Sequence, residues 1–306
     1  EGGSGELASH TAASSADYSS SISEQISRLS KKWSDTCFLA YFQSFTNTYA
    51  PAEVLRRRYY AALNDPRISG IVIATRPDCL DDDVLDLLEK INREHFLWVE
   101  LGLQSMHEAT LKAMNTCYTP GDYENSVQKL TARGIRTVTH LILGLPGETA
   151  ADVDDTLAKV TALNPDDITL HALALKRGSR LKLIMEERHV DLPGTEVTRK
   201  MAETAMGYME RFGYVPYYLY RQGYMAGDLE NIGCARKGAE GMYNIQIMEE
   251  HQTIIGIGGA ATSKVVDFKN KRMKSSFNAK DLVTYSRDID IYIEKRRALL
   301  DEACAN

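Results

Sequence analysis

Polar residues recur at matching places along this chain: Gln43, Thr75, Glu100 with Gln104, His140, and Thr169 with His171. Each closes, or lies late in, a short apolar run that reads as a β-strand. In the run Leu97 to Gln104, Leu97, Val99, Leu101 and Leu103 fall on one face, and Trp98, Glu100, Gly102 and Gln104 on the other. A parallel strand buried on both faces is normally apolar throughout, so a carboxylate and an amide on one face need something to meet. In a barrel the apolar face packs on outer helices, the polar face lines the interior, and the chemistry sits at the C-terminal rim. An acid, an imidazole and amides gathered there could hold a polar ligand or exchange protons with it. The structural alternative is a set of satisfied interior groups with no ligand.

Other candidates are weaker. Gly144-Leu145-Pro146-Gly147-Glu148-Thr149 joins a strand to a helix, and its glycines permit close backbone approach to a ligand. It lacks the lysine of a phosphate loop, and a tight turn explains it equally well. Gly256 to Ala261 is glycine-rich but has no βαβ unit with a distal acid behind it, so a strand-end turn fits better than a dinucleotide site. Tyr214 to Tyr224, with Arg221, could stack a planar substrate and pair carboxylates; tyrosines sealing a layer are the preferred reading. Cys79 and Cys117 lie near strand-to-helix loops without a deducible histidine partner. His95, His107, His189 and His251 lack metal-ligand spacing.

The elements that must position these residues alternate. A helical pattern near 22–29 precedes a strand at 38–43, a helix from Pro51 to Leu63, a strand at 70–75 and a helix at 81–92. After strand 97–104 come helices near 107–115 and 121–133, strand 135–143, helix 150–162 and strand 167–174. Strand–helix alternation at about 30 residues argues for right-handed βαβ units and a parallel sheet. A closed or partly closed barrel is preferred over a flat doubly wound sheet. Beyond Pro193 the pattern changes to a helix at 196–212, short strands at 217–220, 241–247 and 253–259, and a helix at 279–300. Three regions are expected: a flexible segment at 1–19, a βα core at 20–193 and an α+β extension at 194–306.

The 306 residues are ample for a sizeable core. A net charge of -6 gives no general reason to expect a nucleic-acid partner. No apolar run is long enough to span a bilayer. Five scattered cysteines fit a reducing cytoplasm better than a disulfide framework.

Four stretches carry a family resemblance: Phe38–Pro51 (FLAYFQSFTNTYAP), Ala74–Leu80 (ATRPDCL), Val99–Ser105 (VELGLQS) and His140–Thr149 (HLILGLPGET). In order and spacing they resemble radical S-adenosylmethionine proteins, the first half being closest to a poorly characterised group of them. Leu170–Leu181 (LHALALKRGSRL), Pro216–Gly233 (PYYLYRQGYMAGDLENIG) and Gly241–Lys264 resemble the oxygen-independent coproporphyrinogen III oxidase (dehydrogenase) family. The two resemblances meet near 145–168.

The resemblance implies a partial (βα)6 TIM-like barrel with a C-terminal α+β extension. It also implies S-adenosylmethionine and a 4Fe–4S cluster held by a C-x3-C-x2-C motif, yielding a deoxyadenosyl radical that abstracts hydrogen from substrate. In the coproporphyrinogen branch two propionates become vinyl groups with loss of carbon dioxide. No such cysteine motif stands in this sequence, so no metal ligand is assigned. The chain is expected to begin just past the motif in a fuller parent, with the first barrel strand outside it. By position, the resemblance puts Gln43, Ser44 and Phe45 beside the methionyl amino group, Thr75 and His140 at cofactor positions and Gln104 near the ribose. Glu100 is an inward neighbour. Thr116-Cys117 stands where relatives carry an arginine. The implied partners are a small-molecule substrate, with a porphyrinogen as candidate, and an electron donor such as flavodoxin or ferredoxin; no membrane is involved. Two alternatives are a haem- or porphyrin-binding adapter on the same scaffold, and a barrel lyase using Glu100 and His140.

Overall fold

A computed structural model describes Ser27 and residues 37–174, 192–221, 226–248, 252–267 and 272–305. Apart from Ser27, the helical pattern near 22–29 lies outside the described residues, as do His189, His251 and Tyr224. The described residues divide into two compact units. One comprises Tyr41–Ala52 and Val72–Met248; the other comprises the residues up to Ala40, Glu53–Ile71 and the chain from Glu249 onward.

The elements run β1 (Phe38–Phe42), α1 (Ala52–Leu63), β2 (Ile68–Thr75), α2 (Asp82–Glu94), β3 (Phe96–Gln104), α3 (Glu108–Ala113), α4 (Pro120–Ala132), β4 (Arg136–Leu143), α5 (Ala150–Leu163) and β5 (Asp167–Ala172). Then follow α6 (Thr195–Arg211), β6 (Val215–Tyr220), β7 (Asn231–Ala235), α7 (Met242–Met248), β8 (Thr262–Asp267), β9 (Arg272–Phe277), α8 (Leu282–Arg287) and α9 (Ile289–Ala305). Seven strands form one sheet in the order β1-β2-β3-β4-β5-β7-β6. β3, β4 and β5 pair in parallel, whereas β7 runs antiparallel to β5 and β6 antiparallel to β7. This mostly parallel α/β sheet is the TIM-like half-barrel that the strand–helix alternation implies.

Local chemistry sets the helix ends. The Asp81 side chain accepts from Val84 N at the start of α2. Thr119 before α4 and Thr149 before α5 each form a capping box with the aspartate three residues on, Asp122 and Asp152. At the end of α4, Gly134 takes φ +65°, Gly134 N donates to Thr131 O and Ile135 N to Leu130 O. That is a Schellman stop, and it frees the chain to enter β4.

The sequence expectations hold best through β5. Residues 241–247, expected as a strand, are helix α7. Of the strand expected at 253–259, only an isolated bridge from Ile254 to Lys264 forms. The expected single helix at 279–300 is two, α8 and α9, with Asp288 as the C-cap between them. Pro51 precedes α1 rather than opening it. β7, β8 and β9 were not anticipated. In the second unit β8 and β9 pair antiparallel, and Val265 packs with Leu300, Leu299, Ile255 and Phe38. The Gly256 turn is steric: a Cβ there would lie 2.5 Å from Thr262 O.

Candidate functional site

The strand register lines up the polar groups. Glu100, Val138, Asp167 and Ala235 stand level across β3, β4, β5 and β7; Gly102, His140, Thr169 and Gly233 form the next row; Ile142 and His171 the one after on β4 and β5. Paired residues share a face and alternate rows repeat it. Val138 packs with Trp98 and Val72, so Glu100, His140, Asp167, Thr169 and His171 all project from the face that carries Trp98.

On that face the side chains join. The Tyr41 hydroxyl donates to Glu100 Oε2 at 2.6 Å. His140 Nε2 lies 3.5 Å from the same oxygen and has no hydrogen-bond partner. His140 Nδ1 and His171 Nε2 are 2.8 Å apart. Glu100 is only 5% exposed. Burial, then the carboxylate beside it, drives the Tyr41 phenol far above its usual range, so it stays a donor. Burial, then the neighbouring His140 imidazole, pushes His171 down to about 3.

A second cluster sits beside the first. The Tyr217 hydroxyl donates to Asp167 Oδ2 at 2.6 Å and accepts from Asn244 Nδ2 at 2.9 Å. Asp167 Oδ1 has no partner. Burial outweighs the Tyr217 hydrogen bond and pushes Asp167 up to about 7. Tyr218 reaches Thr169 Oγ1 at 3.5 Å and Tyr214 donates to Pro165 O at 2.7 Å. The hydroxyls of these three tyrosines are held by β5 and the loop before it, and the three do not form a free stacking platform.

The remaining sequence candidates fall elsewhere. Thr75 is buried, with its hydroxyl on that of Thr48; three residues beyond Val72, it faces the opposite side of β2. Gln104 ends β3 at φ +72°, after a register shift, and its side chain bonds Tyr118. Gln43, Ser44 and Phe45 are exposed in the loop after β1, with Phe45 at φ +59°. Asn47 ties that loop down, its Nδ2 donating to Phe42 O and Ala74 O at 2.9 Å each. In the loop after β4, Gly144 serves packing: a Cβ there would lie 3.1 Å from Ala226 Cβ. Glu148 turns inward and accepts from Ser105 Oγ at 2.5 Å, while burial raises its pKa. Cys79 is buried and Cys117 exposed. His107 caps α3 and lies 3.2 Å from Asp155 Oδ2. Sequence reasoning missed Tyr41, Asp167 and Asn231. Tyr41 was legible from alternation in Phe38–Gln43; Asn231 left no local signal.

These groups fit one half of the expected chemistry. A buried unpartnered imidazole nitrogen and a carboxylate on one face suit a polar nucleoside such as S-adenosylmethionine. A cluster does not fit the described residues: no three His, Cys, Asp or Glu among them are placed to hold a metal.

Residues 21–160 match the radical SAM superfamily model, and this region of the chain belongs to that superfamily. More particularly, the chain is 32% identical over 268 residues to the oxygen-independent coproporphyrinogen-III oxidase-like protein HemZ of Bacillus subtilis, covering 86% of this chain and 52% of that protein. It is 45% identical over 152 residues to the uncharacterized protein YtqA of the same organism, covering 50% and 47%. The chain thus spans about half the length of these curated relatives. Among solved structures, coproporphyrinogen III oxidase (HemN) of Escherichia coli superposes with a TM-score of 0.63 at 17% identity, covering 89% of this chain and 63% of that one. At that identity the likeness is one of fold.

Proposed function

We propose that this chain is the S-adenosylmethionine-binding region of a radical enzyme acting in the cytoplasm on a haem-pathway small molecule, with a porphyrinogen the leading candidate. The observation that carries the reading is the convergence of Glu100, His140 and His171 on one face of the parallel strands. Similarity to HemZ supports the substrate class. S-adenosylmethionine, when bound and reduced, supplies a deoxyadenosyl radical that takes a hydrogen atom from substrate.

What this chain's residues do can be stated separately. Glu100, anchored by Tyr41, offers an acceptor for a ligand hydroxyl or ammonium. His140 Nε2 lies 3.5 Å from that acceptor without a hydrogen-bond partner. Gly102 gives its place to the Gln104 amide, whose Nε2 would lie 3.1 Å from a Cβ there. Gln43 to Phe45, held by Asn47, frame the approach at the end of β1. The cluster and the electron donor, a flavodoxin or ferredoxin in this reading, belong to the whole protein. Among the described residues no helix is long and apolar enough to cross a membrane.

Calorimetric titration of the chain with S-adenosylmethionine tests the reading. Saturable binding is expected, weakened about tenfold by Glu100→Ala, the loss of roughly one hydrogen bond to a charged group. No heat of binding at millimolar ligand overturns it. Substrate class is tested in anaerobic protein extended upstream by a C-x3-C-x2-C segment. Cleavage of S-adenosylmethionine should rise when coproporphyrinogen III is added; cleavage indifferent to it removes the porphyrinogen assignment.

A further inference from the structure

We propose that Asn47 is a positioning residue: it holds Phe45 in a left-handed conformation and so keeps the turn after β1 in the shape that receives S-adenosylmethionine. This role rests on the cofactor assignment made for Gln43 to Phe45. Phe45 sits at φ +59°, where a Cβ crowds the following carbonyl oxygen and where glycine, asparagine or aspartate is the usual occupant. The residue is 44% exposed, so no closed core fixes it. Among the described residues no hydrogen bond reaches the backbone of Ser44, Phe45 or Thr46. A bulky residue stays in that region only when its surroundings force it there. Here the force comes from the two ends of the turn.

Phe42, the last residue of β1, and Ala74, next to last in β2, present their carbonyls to one side chain. Asn47 Nδ2 donates to both at 2.9 Å, and Asn47 N donates to Ala74 O at 3.2 Å. Carbonyl oxygens only accept, so the orientation of the amide is fixed and both of its hydrogens are used. The Thr48 hydroxyl, bonded to that of Thr75, pins the next residue to β2 as well. Residues 43–46 therefore close a span whose ends are joined through one amide, and the chain closes it with Phe45 at positive φ.

Without the Asn47 amide the clamp opens and Phe45 falls back to negative φ. A ligand that needs the closed turn must then restore it, and its apparent affinity drops with the fraction of molecules already closed. Glycine at position 45 removes that cost, because it enters positive φ about as readily as negative φ. Alanine keeps the cost, because it keeps the Cβ.

The experiment compares Phe45→Gly with Phe45→Ala, each alone and combined with Asn47→Ala. Both lack the ring, so the left-handed cost is what separates them. Without ligand, Phe45→Gly should melt about 2 °C above Phe45→Ala while Asn47 is present. With Asn47→Ala the order should reverse, because glycine then only adds freedom to the unfolded chain. Phe45→Ala melting at or above Phe45→Gly in the presence of Asn47 overturns the strain, and this comparison needs no Asn47 variant to fold. A glycine advantage that survives Asn47→Ala overturns the role of Asn47. Binding of S-adenosylmethionine is then titrated well below the melting temperatures, where a loss of stability alone leaves affinity unchanged. Asn47→Ala should weaken it about tenfold, and adding Phe45→Gly, but not Phe45→Ala, should restore most of the loss. Affinity unchanged in Asn47→Ala, or restored equally by both substitutions, overturns the positioning role. A parent protein that binds no S-adenosylmethionine overturns the cofactor assignment, while the ligand-free melts decide separately whether Asn47 holds Phe45.

Discussion

The ring of Tyr218 lies flat against Gly233. A Cβ placed on Gly233 would come within 1.9 Å of Tyr218 Cε1 and 2.2 Å of its Cδ1. The two residues are register partners on β6 and β7, so the missing side chain is what lets the tyrosine cross its neighbour strand and reach Thr169. Gly233→Ala should therefore cost about 1–3 kcal/mol, the usual range for forcing atoms into a filled space. Urea denaturation of the two proteins checks this. An unchanged midpoint would mean the ring swings aside freely.

Asp167 makes stability depend on pH. Its folded pKa is raised to about 7, against an ordinary carboxyl near 3.9 in the unfolded chain. Between those values the folded state binds more protons than the unfolded one, so stability falls as pH rises and levels off above about 7. The size is of order a few kcal/mol, using about 1.4 kcal/mol per pKa unit. Asp167→Asn can still accept from Tyr217 and cannot ionise. Its chevron or urea midpoint should vary less between pH 5 and pH 8 than that of the parent, with its relative advantage greatest at pH 8. An advantage greatest at pH 5 would reverse the sign and reject the assignment.

Sequence alone reached Glu100, His140 and His171 because alternation within a strand is a local property, and each lies in a strand whose faces differ in polarity. It could not reach the Tyr217–Asp167 bond, whose partners are fifty residues apart, or the antiparallel addition of β7 and β6 to β5. Residues 241–247 misled for a related reason. Met-Tyr-Asn-Ile-Gln-Ile alternates enough to look like a strand, yet Tyr243 packs on Tyr41 with ring centroids 4.1 Å apart and planes tilted by 59°, and Asn244 bonds Tyr217. Those tertiary contacts select the helix. Thr75 shows the opposite limit: its position at a strand end was legible, but which face it took depended on counting from Val72.

Gly134 offers a contrast with Gly233. Nothing lies within 4 Å of a Cβ built on it, so space is not the constraint; its φ of +65° is. Gly134→Ala should cost about 1–2 kcal/mol, the strain of the left-handed region for a residue with a Cβ. Gly134→Asn should cost less, since asparagine tolerates that region better. Thermal melts of the three proteins should rank glycine, asparagine, alanine. Equal values for asparagine and alanine would show that the Schellman stop carries no conformational selectivity.

Tyr41 and Glu100 should be energetically coupled. Their 2.6 Å bond joins a phenol to a carboxylate that is 5% exposed. Hydrogen bonds to charged groups contribute about 1.5–3 kcal/mol, and neutral ones about 0.5–1.5. Tyr41→Phe should thus destabilise the parent by about 2 kcal/mol, because a buried carboxylate loses its donor. In a Glu100→Gln background the same change removes only a neutral bond and should cost about half as much. The double-mutant cycle should then return a coupling of about 1 kcal/mol. A coupling near zero would mean that Glu100 is held by His140 and solvent, with Tyr41 contributing only its ring against Tyr243.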